Sequence, residues 1–205
     1  VWNAAFHSVQ FWDGRAATLE DQAKGPLINP IEMGNKDHAE VIARLKKIKG
    51  YGPLFKAAFG SDKIDIERVA QAIAAFERTL ITPNSPYDRY MKGDKKAMSP
   101  AAIKGLELVE EIGCRTCHMG PNFNGPIELV ADHTGFYQKF PTYGLGEGYD
   151  KKYGFSKDLG RYGVTKNEDD KHMFRVATWR NVAHTAPYFH TGTVKTLDEA
   201  VRVMA

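Results

Sequence analysis

Residues 113–118 read GCRTCH, and Cys114 and Cys117 are the chain's two cysteines. An isolated CxxC can be a redox dithiol, half of a zinc site or a haem attachment, and the next residue separates these readings. Here it is His118. Two thiols at this spacing form thioethers with the porphyrin vinyl groups, and the adjacent imidazole then meets the iron from the proximal side. Zinc would want two further ligands, normally another Cys pair or a spaced His pair, and none is obvious. A thioredoxin-like dithiol would want a strand in front of it. What stands there is SPAAIKGLELVEEIG, residues 99–113. That segment reads as a helix, with Ser99 as its cap, Pro100 in its first turn and Leu106, Val109 and Ile112 along one apolar face. The motif is therefore read as covalent haem c on Cys114 and Cys117, with His118 as an iron ligand. Bacteria attach haem in this way outside the cytoplasm, so a periplasmic location follows from the cofactor.

Working outward, most of the chain reads as helix. Val41, Ile42 and Leu45 share a face in residues 37–48, and Ile66, Val69, Ala70, Ile73 and Leu80 do so in residues 64–81; these read as core helices. Residues 82–99 gather Pro, Gly, Ser and charge and read as the link between two units. Residues 119–171, rich in Gly, Tyr and charge, are long for a structureless loop and are expected to wrap the haem or form a partner surface. The 205 residues are 42% apolar and 26% charged, a globular composition without an apolar run that could cross a bilayer. The net charge of +3 is balanced locally, as in DKKAM (94–98) and NEDDKH (167–172), which speaks against nucleic acid as a partner. The chain begins at Val1 and ends in an apolar helical segment, so residues are expected to be missing at both ends.

A repeat organises these pieces. FWDGRAATL (11–19) returns as FHTGTVKTL (189–197), and Asn3/Asn181, Ala5/Ala183, Phe11/Phe189, Gly14/Gly192, Thr18/Thr196 and Leu19/Leu197 all pair at one offset, since 181 − 3 and 197 − 19 both give 178. Each copy ends in a capping pattern, Thr18 with Asp21 and Thr196 with Glu199. A turn followed by a cap is a common local solution, but the matches extend well upstream of the cap, which favours duplication. If residues 181–205 close a haem domain that begins near Cys114, residues 3–27 close a similar one whose own attachment motif lies about 64 residues before Val1. The fold expected is thus all-α, two cytochrome c-like haem domains related by duplication. Residues 1–92 form the C-terminal part of the first and residues 93–205 the second, with two haems in the full-length chain and one attached within this segment.

The copies differ where iron chemistry would feel it. Met204 lies on a helical stripe with Leu197, Ala200 and Val201, and its partner at offset 178 is Pro26, which cannot ligate iron. A thioether opposite the proximal imidazole raises the reduction potential. Spacing alone reads Met204 as a core residue, and it leaves Met173 and His172 as rival ligands; Met119 adjoins His118 and belongs on the proximal side.

The ordered motifs FWDGRAATLEDQAKGP, NPIEMG, SPYDRYMKGD, GCRTCH, DLGRYGVTKNEDD, TWRNVAHTAPYFHTG and TLDEAVRVM together resemble the bacterial dihaem cytochrome c peroxidases, over essentially the whole chain. The resemblance implies a periplasmic, commonly dimeric enzyme that reduces hydrogen peroxide to water with electrons from a small c-type cytochrome or a cupredoxin. By position it implies that Trp12 lies between the two haems and that Gln22 and Glu32 belong to the peroxide pocket. Glu32 would move a proton between the peroxide oxygens and Gln22 would donate a hydrogen bond. It makes Met204 the ligand opposite His118 on the high-potential haem, overriding the reading from spacing. It makes the main-chain carbonyls of Thr185 and Pro187 ligands of a calcium ion between the domains, with the completing Asn upstream of Val1; oxygen ligands suit calcium. Without the resemblance Trp12 would be a buried aromatic anchor, Gln22 and Glu32 solvated helix-end residues, and TAPYF an ordinary turn. One departure is Ala177 of FRVATWRN, where the family usually carries Pro.

Two other readings compete. A related dihaem oxidase type, which matures a protein-derived quinone cofactor, has Tyr at the position of Met204. A pure electron carrier with one haem would explain the single CxxCH in the given residues, though not the duplication or the FWDGRA segment.

Overall fold

The computed structural model describes residues 2–126, 128–131, 134–140 and 147–204. Helices α1 (Leu19–Ile28), α2 (His38–Lys46), α3 (Tyr51–Phe59) and α4 (Ile66–Thr79) build the first unit. Three of them start where a side chain satisfies an orphan amide: Thr18, Asp37 and Asp65 accept from the backbone N–H groups of Asp21, Glu40 and Arg68 at 3.1, 2.8 and 3.0 Å. The expected apolar faces are used. Val69, Ala70 and Ala74 of α4 are buried, α1 packs along α4, and Ala74 meets Leu19 and Ala4. Phe55, Ile64 and Val69 form a second cluster, flanked by Ile42, Leu45 and Ile73. Outside, a two-pronged pair from Arg78 to Glu20 (2.7 and 3.0 Å) ties α4 to α1.

The linking stretch is more structured than its composition suggests. Ser85 and Asp88 form a reciprocal capping box at the head of α5 (Pro86–Met91). Asp88 is also gripped by both arms of Arg180 at 3.0 and 2.7 Å, so the far end of the chain is bolted to the link. Thr82 does the same through hydroxyl and amide: it bonds the Asn3 side chain twice, at 2.8 and 2.9 Å, and Asn181 Oδ1 at 2.8 Å.

Helix α6 (Pro100–Glu111) is capped by Ser99, as expected, and buries none of its residues. Beyond it lie α7 (Glu128–Ala131), β1 (Tyr137–Lys139), α8 (Glu147–Tyr153), α9 (Tyr162–Thr165), β2 (Met173–Arg175) and α10 (Leu197–Met204). The expectation of an all-helical fold needs correction here. β1 and β2 pair antiparallel, Tyr137 opposite Arg175 and Lys139 opposite Met173, and backbone bonds continue the ladder on either side, Phe140 N–H to the His172 carbonyl (2.8 Å) and Val176 N–H to the Phe136 carbonyl (3.0 Å). Among the described residues the 119–171 stretch carries short helices and one strand; residues 127, 132–133 and 141–146 of it lie outside the description. The second core contains Phe140, Phe155, Phe174, Tyr188, Val194, Ala200 and Val203. On α10 the buried stripe runs through Ala200 and Val203, whereas Val201 and Met204 are exposed. Val201 thus leaves the stripe on which spacing placed it.

The backbone itself repeats at the offset of 178. Asn3 and Asn181 sit at φ 61° and 62°, Phe11 and Phe189 at 64° and 65°, and Gly14 and Gly192 at 68° and 61°. Each Asn precedes a 3₁₀ turn, Ala4–Phe6 or Val182–His184. The bridges Gln10–Ala16 and Tyr188–Val194 also correspond, closed by N–H to carbonyl bonds of 2.8 and 2.7 Å. A left-handed Phe costs about 1–2 kcal/mol, so its recurrence at the same place reflects a shared turn rather than a common default.

Candidate haem-attachment site

α6 ends at Ile112, and Gly113 turns the chain at φ +85°, a conformation that favours glycine. The next three residues, Cys114–Thr116, form a 3₁₀ turn, and the His118 amide closes it on the Cys114 carbonyl at 3.1 Å. Both thiols are free and half-buried. Arg115 holds the turn from inside. Its guanidinium donates to the His118 carbonyl (2.6 Å), pairs with Glu110 (3.0 Å) and lies 4.6 Å from the centre of the Phe123 ring.

His118 is prepared as a ligand. Its Nδ1 lies 2.8 Å from the Phe123 carbonyl and the Ala177 backbone is a further partner; with Nδ1 as the donor, Nε2 is the nitrogen that carries the lone pair a metal needs. Burial pushes its pKa below the usual value, keeping the imidazole neutral. The ring is stacked on Trp179, centroids 4.3 Å apart and planes at 25°. Thr178 and Arg180, on either side of Trp179, donate to the carbonyls of Asn122 (2.5 Å) and Pro121 (2.9 Å) and so fasten this segment to the loop after the motif. Trp179 and Arg115 are residues that motif reading missed: Trp179 acts through contacts with a segment far along the chain, and Arg115, inside the motif, through local contacts with Glu110, His118 and Phe123 that CxxCH spacing does not mark.

These residues fit a haem c. α6 presents Leu108 and Ile112, 43% and 63% exposed, and packs on the attachment turn with no buried residue of its own. An apolar helix left this bare beside two free thiols and a neutral, oriented imidazole suits a large flat apolar group.

The other expected site residues are dispersed. Met204 is 41% exposed in the last turn of α10. Of its rivals, Met173 lies in β2, where its carbonyl accepts the Arg161 amide (2.9 Å), and His172 Nδ1 sits 3.0 Å from the Asp158 carbonyl; neither contact involves the Met173 sulfur or the His172 Nε2. Trp12 lies in a turn that residues from far along the chain close over. Arg175 donates its amide to the Trp12 carbonyl (2.8 Å) and its Nε to that of Phe11 (3.3 Å), and Arg161 reaches the Asp13 carbonyl (3.2 Å). Burial pushes the Arg175 guanidinium down to about 10. The Trp12 indole meets His190 edge-on, centroids 6.4 Å apart, and His190 stacks on Phe174 at 3.9 Å. Trp12 and His190 are related by the same offset of 178.

Gln22 is half-buried on α1, and Glu32 is exposed in the loop after it, between exposed Ile31 and Met33. Asn29 shapes that loop by accepting from Ile31, Glu32 and Gly34. Among the described residues no hydrogen bond joins Gln22, Glu32 and Trp12. Thr185 and Pro187 are exposed, and their carbonyls accept no hydrogen bond among the described residues. Clusters of three or more His, Cys, Asp or Glu able to hold a metal are absent among the described residues, as is any helix long and apolar enough to cross a membrane.

Fold and site together define a mostly helical protein with a c-type haem-attachment turn. Residues 1–96 match the family model described as di-haem cytochrome c peroxidase. The whole chain aligns with cytochrome c peroxidase Ccp of Escherichia coli at 43% identity, covering 41% of that protein. It also aligns with cytochrome c551 peroxidase of Pseudomonas aeruginosa at 42%, covering 56%. Among solved structures, a MauG-like protein associated with microbial copper homeostasis matches 96% of this chain and 58% of its own, with 29% identity and a TM-score of 0.73. The chain belongs to the di-haem cytochrome c peroxidase family, and it spans about half the length of the curated relatives it matches.

Proposed function

We propose that this chain is part of a periplasmic dihaem cytochrome c peroxidase that reduces hydrogen peroxide to water with electrons from a small c-type cytochrome or cupredoxin. The observation that carries the reading is the preset His118 imidazole beside two free thiols, in a chain more than 40% identical along its length to two proteins named as cytochrome peroxidases. We further infer that the units are duplicates, residues 1–92 completing a first haem domain and 93–205 forming the second. The matched φ values and bridges at offset 178 support this.

Bound haem iron supplies electron storage and a site for peroxide. The chain's residues do the rest. Glu32, on an exposed loop, carries a proton from one peroxide oxygen to the other as the O–O bond breaks, and Gln22 donates a hydrogen bond to hold the substrate. Trp12, held by Arg175 and touching His190, bridges the two units for electron passage. Met204, exposed on α10, would hold the haem iron together with His118 and raise its reduction potential. The Thr185 and Pro187 carbonyls hold calcium between the units in the complete protein, which works as a homodimer. Met204 argues against the quinone-maturing oxidase type, which carries Tyr at that position.

The test is to measure haem per full-length chain and then peroxide-dependent oxidation of a reduced cytochrome. Two haems and turnover are expected; a single haem without turnover returns the protein to an electron carrier. Glu32→Gln is expected to lower turnover by about 100-fold or more with electron uptake at the His118 haem intact. Unchanged turnover removes Glu32 from the mechanism.

A further inference from the structure

The hydrogen bond from His118 Nδ1 to the Phe123 carbonyl, with the Ala177 backbone as a further partner, sets the in-plane direction of the imidazole, but such bonds leave the tilt of the ring plane free to follow what packs against its face. Trp179 removes that freedom by laying its indole against the ring at 4.3 Å and 25°. The indole is in turn backed by Phe123, 5.5 Å away at 22°, and Phe123 by Tyr87 of α5, 4.9 Å away. Phe123 therefore holds the imidazole twice, through its carbonyl and through the indole. The column is clamped at both ends. Next to Trp179, Arg180 bonds the Pro121 carbonyl at 2.9 Å, and it forks onto Asp88, the neighbour of Tyr87, at 3.0 and 2.7 Å.

Groups that orient a metal-bound imidazole and keep water from it alter its strength as a donor and the stability of the charged ferric form. We propose that Trp179 is a positioning residue for His118, keyed through Phe123 and Tyr87 to helix α5, and that this column sets the reduction potential of the haem held by Cys114 and Cys117. The inference rests on the attachment reading given above. It assigns to α5, a helix in the link between the units, a hold on the iron ligand: a shift of Tyr87 reaches His118 through two rings, by a tilted contact with Phe123 and then the stacked Phe123–Trp179 and Trp179–His118 contacts.

The experiment uses the full-length holoprotein. The potential of the His118 haem is titrated spectroelectrochemically, and the ferric form is recorded by electron paramagnetic resonance, whose g-values report the imidazole plane. Trp179→Leu is expected to admit water and shift the equilibrium about three- to tenfold toward the ferric state, tenfold being about 59 mV for one electron, with altered g-values. Trp179→Phe, which keeps a flat face, restores most of the shift, and Tyr87→Leu gives a smaller one of the same sign. Wild-type potential and g-values in Trp179→Leu overturn the proposal; should that variant fail to mature, a wild-type potential in Tyr87→Leu does so. Failure of the attachment reading is seen separately, as wild-type protein without covalent haem on Cys114 and Cys117.

Discussion

Residues 3–26 and 181–204 share left-handed residues and a closing bridge at matched positions and carry different side chains at the places that matter. Both begin with a left-handed Asn, turn at a left-handed Phe and Gly, and enter a helix through a Thr cap. Yet the residue after the Phe is Trp12 in one and His190 in the other, and Met204 stands where the first copy has Pro26, inside α1. The surroundings differ too. The first turn is enclosed by the second unit: a Cβ at Gly14 would collide with the Tyr137 hydroxyl, while one at Gly192 would meet only Pro187 Cγ at 3.6 Å. Backbone geometry is what the two turns share, because left-handed residues and closing hydrogen bonds tolerate few substitutes. Chemistry can then be exchanged at side chains that the turn merely displays.

The comparison breaks most severely at the helix ends. Met204→Ala is expected to lower the potential of the His118 haem by a sizeable part of the roughly 0.8 V range that axial ligands command, whereas Pro26→Ala leaves it unchanged. Equal effects in a redox titration would remove Met204 from the iron. At the turns, Gly14→Ala combines a strained φ with the Tyr137 collision and should destabilise by about 2–4 kcal/mol, against about 1 kcal/mol for Gly192→Ala. Paired urea unfolding curves measure the difference, and matching midpoints would mean that the enclosure of Gly14 has no energetic weight.

The bolt between link and second copy is sensed by pH. Arg180 holds the Asp88 carboxyl well below the usual carboxylate range, with help from Ser85. A lowered folded-state pKa means stability that is complete above the ordinary carboxylate value, about pH 4, and is lost as pH falls through the folded one. Arg180→Gln should therefore destabilise by about 1–3 kcal/mol at neutral pH and converge on the wild type in acid; a constant gap across pH would show that the pair does not titrate as drawn. The smallest difference is expected at the caps. Thr196→Ala loses the 3.3 Å cap bond, and Thr18→Ala loses its 3.1 Å cap bond together with the exposed 2.9 Å bond its hydroxyl donates to Asp21; each should cost about 1 kcal/mol. Thermal melts that differ widely between the two would mark the copies as unequal at the helix starts as well.

Much of this was legible in advance. The capped helices follow from local rules: Thr18, Ser99 and Thr196 with the apolar residues behind them specify where α1, α6 and α10 begin. The attachment turn follows from thiol spacing and one adjacent imidazole, because that chemistry needs those residues at those positions. The offset of 178 exposed the repeated turn before any φ angle was known. Other parts were illegible for an equally physical reason. The β1–β2 pairing joins segments that lie 36 residues apart (173 − 137), and no alternating pattern announces strands of three residues. Composition made the 82–99 stretch a bare link, since Pro, Ser and Asp in a capping box look like loop residues until their bonds are seen.

What the amino-acid order determined by itself is local and covalent: helix starts, the thiol pair with its imidazole, and the twice-used turn, all set by neighbours within a few residues. What only the tertiary structure decided is the company these pieces keep. Trp179 on His118, Arg180 on Asp88 and Tyr137 over Gly14 join residues far apart in the chain. Such contacts come from shape and burial in the packed molecule, to which spacing along the chain is blind.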